Sequence, residues 1–129
     1  MNELARKRSW VYIAAPLTPS VEAHTSLRGN LSVVFSCAAF LLAFGYVPFV
    51  PHALYLWEEY SPKGYERWMA LDFEYLSGCD ALLRLPGVSP GADREEAYAR
   101  ENGIPVFTNL EDLTASLPVF ARPSLLRSA

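Results

Sequence analysis

The chain is poor in the residues that mark a metal or cofactor site. It has two cysteines, Cys37 and Cys79, and two histidines, His24 and His52, and the histidines stand at no ligand spacing from either cysteine. No zinc pattern results, and no metal is expected. Cys37 lies in an apolar helical run and Cys79 just before a strand, so both read as buried free thiols suited to a reducing cytoplasm. The first strand ends in Ala14-Ala15-Pro16 where a dinucleotide fingerprint would need glycines, and neither GxxxxGK[ST] nor GxSxG occurs. No cofactor is expected. Charge is also scarce. Charged residues make up 19% of the chain and the net charge is −3, and apart from Arg6-Lys7-Arg8 the basic residues are scattered. Without a basic stripe, a nucleic-acid polymer is not an expected partner.

The 129 residues suit one domain, 1–129, and a hydrophobic content of 51% supplies a core. Residues 1–8 and about 118–129 read as extended or flexible tails. Leu31 to Val50 holds no charged residue, but Gly45 and Pro48 interrupt it. The uninterrupted part, Leu31 to Phe44, falls short of the roughly 20 residues a bilayer requires, so no membrane span is expected. The basic start lacks a following apolar region and cleavage site, so a signal peptide is not expected either.

Trp10 to Ala15 is β-branched and aromatic and stops at Pro16, a buried central strand. Thr18 could cap a helix with Pro19 in its first turn and Glu22 nearby, although Gly29 weakens that start. The secure part of the helix is Asn30 to Phe44. It is apolar nearly all round, whereas packing on a sheet needs only one apolar stripe. The second face calls for a partner, most simply another copy of the chain. Gly45 ends the helix and Tyr46 to Val50 forms strand two. A long connection rich in aromatics (Tyr55, Trp57, Tyr60) leads to a helix over about 62–77. Strand three is Ala81 to Leu85. Pro86 to Gly91 reads as a turn, followed by a helix from near Ala92 to Gly103, strand four at 104–107 and a short helix from Asn109. This alternation predicts an α/β fold with a doubly wound parallel sheet.

Ligands of such sheets sit beyond the carboxyl ends of the strands. Glu95 lies about one helical turn past the 86–91 loop, near the positive end of a helix. The plainer alternative is a solvated glutamate like Glu96 and Glu101. Asp72, among Trp68, Met69, Ala70, Leu71 and Phe73, must face water, a partner or a ligand. Asp80 at a helix–strand junction reads first as a turn residue bonding backbone amides. Ser89 and Gly91, with the amides that follow, could cradle an anion. Tyr12 on strand one and His52 after strand two could reach the same crevice, with the core as the alternative for Tyr12.

The phrase Val11-Tyr12-Ile13-Ala14-Ala15-Pro16, the pair Asp72 and Asp80, and Ser89-Pro90-Gly91-Ala92-Asp93-Arg94-Glu95 with Ala97-Tyr98-Ala99 and Gly103-Ile104-Pro105-Val106 together resemble the nucleoside 2-deoxyribosyltransferase superfamily. The closest match is to its DUF4406-type branch. The resemblance covers most of residues 10–108. It implies a flavodoxin-like (Rossmann-like) three-layer α/β/α fold of four to five strands. It also implies cleavage of the N-glycosidic bond of a (deoxy)nucleoside or its 5′-monophosphate, by hydrolysis or by base exchange. By position, Glu95 matches the nucleophile, Asp72 the proton donor to the base, Asp80 the strand-start aspartate, and Tyr12 the tyrosine that holds the nucleophile. Ser89 stands where relatives that hydrolyse monophosphates bind phosphate. With Gly91 it favours a phosphorylated substrate, and Pro16, His52 and Asp80 complete the expected substrate contacts. Two departures are plain: Ala15-Pro16 replaces Gly-Pro or Gly-Ser, and Glu95-Glu96-Ala97-Tyr98-Ala99 replaces Glu-[apolar]-Gly-Tyr-Ala. They keep open a non-catalytic nucleotide-binding module, and the apolar helix 30–44 keeps open a purely structural dimerisation domain.

Overall fold

The computed structural model describes residues 7–20 and 24–120. In chain order the elements are β1 (Trp10–Ala14), α1 (Leu27–Phe44), β2 (Val47–Phe49), a 3-10 turn (Pro51–Leu54), α2 (Tyr55–Tyr60), α3 (Tyr65–Ser77), β3 (Ala81–Arg84), α4 (Pro90–Glu101), β4 (Val106–Phe107) and α5 (Leu110–Ser116). The four strands are all parallel, in the order β2-β1-β3-β4. This is the flavodoxin-like order, which reverses between β1 and β3.

Strand parity divides the core in two. Val11, Ile13 and Leu83 face one side, where they pack with Val34, Cys37 and Leu41 of α1 and Leu113 of α5. Tyr12, Ala14 and Leu82 face the other, against Leu76 of α3 and Ala92 and Ala99 of α4. The result is the expected three-layer α/β/α arrangement. A shift of one residue in β1 would exchange the faces and remove Tyr12 from the α3–α4 layer.

Several boundaries differ from the sequence reading. α1 begins at Leu27, where the Ser26 hydroxyl accepts the Gly29 amide at 3.0 Å. Thr18 and Pro19 lie outside any helix, and Glu22 lies outside the described residues. Thr25 instead closes a loop with Ser20: the Thr25 amide donates to the Ser20 carbonyl at 2.9 Å, and the Ser20 amide to Thr25 Oγ1 at 2.8 Å. With its earlier start α1 has 18 residues, long and apolar enough by length and composition to cross a membrane. Shortness therefore does not separate it from a span. Its stripe of Val34, Cys37 and Leu41 is nonetheless fixed in the sheet core, while Val33, Phe35, Phe40 and Leu42 are exposed. Gly45 ends it as expected, at φ +119°, with its amide on the Leu41 and Leu42 carbonyls.

The aromatic connection is structured, holding the 3-10 turn and α2. α4 starts at Pro90, two residues before the expected Ala92, because Ser89 caps it and Pro90 suits the first turn of a helix. At the chain ends, Arg8 bridges Phe120 in antiparallel fashion and the Ser9 amide donates to the Val119 carbonyl at 2.7 Å. Residues 118–120 of the expected tail are thus tied to the start of β1. The rest of both expected tails, 1–6 and 121–129, lies outside the described residues.

Candidate active site

A cavity of about 730 Å³ opens at the carboxyl ends of the strands. Ala15 and Pro16 reach it after β1, Pro51 and His52 after β2, and Val88 and Ser89 after β3. It therefore straddles β1 and β3, where the strand order reverses. Asp72 and Glu95 form part of its wall from α3 and α4.

Each carboxyl occupies a place that helical periodicity reserves for the core. On α4 the buried residues are Ala92, Glu95 and Ala99. On α3 Asp72 stands between the buried Met69 and Leu76, on the same face. The two helices pack together on one side of the sheet. Their carboxyls consequently face each other, close enough that each acts on the other's ionisation. Beneath them the buried Tyr12 donates its phenolic hydrogen to Glu95 Oε2.

Two buried carboxyls this close disfavour a second negative charge and so hold one proton between them. Burial pushes the ionisation of both groups up, and the Asp72 charge adds to the rise at Glu95. The Tyr12 hydrogen bond and the Arg84 cation oppose it at Glu95. Tyr12 itself stays a protonated donor, since burial and the Glu95 charge drive its ionisation far up. Glu95 is the deeper of the two carboxyls, so the shared proton rests mainly there.

His52 is buried, and its Nε2 donates to the Ala15 carbonyl at 2.9 Å. Burial pulls its pKa down, so it stays neutral. Ser89 lines the cavity while its hydroxyl oxygen caps α4, accepting the Ala92 amide at 3.1 Å. Gly91 lies in the first turn of α4, its missing side chain facing Met69 and Tyr65. Gly87 has φ +122°, and a Cβ there would come within 2.7 Å of Pro16. This close approach brings the loop after β3 against the end of β1.

Seven of the eight expected residues thus converge: Glu95, Asp72, Ser89, Gly91, Pro16 and His52 line the cavity, and Tyr12 supports Glu95. Asp80 does not join them. It sits at the amino end of β3, where its Oδ2 accepts the Trp10 amide and its own amide donates to the Trp10 carbonyl, both at 2.8 Å. It joins the starts of β1 and β3, at the opposite end of the sheet.

Sequence reasoning missed Glu58 and Arg84. Glu58 lines the cavity from α2, accepts the Trp68 indole N–H, and takes the Lys63 amide at 3.0 Å. Nothing in the local sequence signals this contact across the α2–α3 turn. Arg84 reaches the carbonyls of Leu85 and Gly87 and, at 3.0 Å, Asp93. Its position on β3 has the parity of Leu82, which packs toward α4, and that signal was available. Among the described residues no group of three or more metal-ligating side chains comes together.

The chain is similar in fold to two solved 2-deoxyribosyltransferases. For one from Bacillus psychrosaccharolyticus the identity is 20% and the TM-score 0.54, covering 76% of this chain and 69% of that one. For one from Leishmania mexicana the values are 16% and 0.55, covering 88% and 79%. At these identities the likeness establishes the α/β fold. No curated protein matches the chain. The sequence resemblance points to the DUF4406 type, whereas the family model that matches, over residues 9–109, is a domain of unknown function, DUF7768. The chain belongs to the DUF7768 family.

Proposed function

We propose that the cavity cleaves the N-glycosidic bond of a nucleoside, with Glu95 as nucleophile. The observation that carries this reading is the facing pair of carboxyls in the cavity wall with a buried tyrosine donating to one of them. Glycosyl transfer through an oxocarbenium-like state uses one carboxylate to attack the anomeric carbon and a second acidic group to protonate the leaving base. Tyr12 favours the charge on Glu95, so the proton held between Glu95 and Asp72 moves onto Asp72, which delivers it to the departing base. Water or a second base then takes the sugar from Glu95. The likeness to two 2-deoxyribosyltransferases supports the reading. Ser89, Gly91, Pro16 and His52 would hold the substrate.

A 5′-monophosphate substrate is a second reading, favoured by the amino terminus of α4 opening on the cavity at Ser89. Against it, no lysine or arginine appears among the described lining residues.

The test is release of free base from a panel of ribo- and deoxyribonucleosides and their 5′-monophosphates, with and without an acceptor base. Glu95→Ala is expected to reduce release by on the order of a thousandfold or more with the fold retained. Full activity in that variant would overturn the assignment. Tight nucleoside binding without any release would identify a binding module instead.

A further inference from the structure

The charged groups among the described lining residues are all carboxyls: Glu58, Asp72 and Glu95. His52 is neutral. Glu58 is held ionised by the Trp68 indole N–H and the Lys63 amide. Asp72 and Glu95 share a proton and keep one further negative charge. Around them stand the aromatic side chains of Tyr55, Tyr65 and Trp68. A carboxylate bonded to an indole N–H pushes electron density into the ring, which strengthens its attraction for a cation at its face.

Aromatic walls combined with negative charge suit a flat ring that is itself positive. We propose that the cavity selects nucleosides whose base is a cationic nitrogen heteroaromatic, of the N-alkylpyridinium kind. For its turnover arm this rests on the N-glycosidase reading; its binding arm does not. A cationic base alters the chemistry in two ways. On binding it favours the ionised state of the carboxyl pair, so Glu95 arrives charged. On departure it needs no proton. A Glu95 oxygen bonds the anomeric carbon, the C1′–N bond breaks, and its electron pair returns to the ring nitrogen and neutralises it. Water then attacks the same carbon, its proton passes to the Asp72 carboxylate, and the Glu95–sugar bond breaks to restore the carboxylate.

The binding arm compares 1-methylnicotinamide, a cation, with neutral nicotinamide by calorimetry. The cation is expected to bind about tenfold more tightly. That preference should shrink several-fold in Glu58→Gln, whose amide oxygen can still accept the Trp68 N–H. Equal affinities for the two rings, or a preference unchanged in Glu58→Gln, would overturn the proposal. The turnover arm follows base release from N-ribosylnicotinamide and from neutral nucleosides. Cleavage of neutral nucleosides without cation preference overturns this proposal and leaves the glycosidase reading standing. Cation preference with no cleavage of any nucleoside supports the proposal and overturns the glycosidase reading.

Discussion

Glu95 is a carboxyl placed where its helix would otherwise bury an apolar side chain, and its ionisation is therefore linked to folding. Its pKa and that of Asp72 are raised above the ordinary carboxylate value near 4, burial being the main cause. The folded state thus holds protons more tightly than the unfolded chain. The associated stability is complete below about pH 4 and is lost as pH rises through the folded values. Glu95→Gln should remove much of that slope, making the variant more stable than wild type at pH 8 by on the order of 1–3 kcal/mol. Thermal unfolding of both proteins across pH 4–8 reads this as a difference, which cancels the exposed carboxylates common to both. Tyr12→Phe removes the donor that favours the Glu95 anion. Base release should fall roughly tenfold to a hundredfold near neutral pH, and the ascending limb of the pH profile should move upward. A profile unchanged in position would detach Tyr12 from the nucleophile.

The element that sets this geometry is the β3–α4 connection. Ser89 caps α4, Gly87 permits the approach of Pro16, and Arg84 ties the carbonyls of Leu85 and Gly87 to Asp93. Ser89→Ala should cost about 1 kcal/mol in chemical denaturation and Ser89→Gly only a few tenths, since glycine is itself tolerated as a cap. Much of this architecture could be read from the sequence. The β–α alternation gave the parallel sheet, because each strand is an apolar run bounded by glycine, proline or a polar cap. Glu95 could have been told from Glu96 by periodicity alone, since it falls in line with Ala92 and Ala99. The start of α1 is not legible in the sequence, because Thr18-Pro19 and Ser26 offer competing caps and only the loop closed by Ser20 and Thr25 decides between them. Asp80 is close in sequence to the cavity loop, but a strand separates the two, and four residues of β3 carry the chain from one end of the sheet to the other. The contact of Glu58 with Trp68 depends on how α2 turns into α3, which no local pattern encodes.

At the scale of the molecule, the unfilled requirement is the outer face of α1. Its outermost line is small, made of Ser32, Ser36, Ala39 and Ala43, and is flanked by Phe35 and Leu42 on one side and Val33 and Phe40 on the other, all exposed. Small residues between large ones allow close approach of another helix. We propose a second copy of the chain as the occupant. Light scattering should give a dimer or larger assembly for wild type and a monomer for the double variant Phe35→Glu, Leu42→Glu; a monomeric wild type would refute it. The carboxyl pair, by contrast, belongs to one contiguous stretch, since α3, β3 and α4 span residues 65–101. The cavity wall that includes His52, Tyr55 and Glu58 comes from a separate stretch, 51–64. The two stretches meet at the Glu58–Trp68 hydrogen bond and not at the carboxyl pair, so replacing 51–64 while keeping an acceptor for the Trp68 N–H is expected to change the recognition surface and leave the paired carboxyls in place.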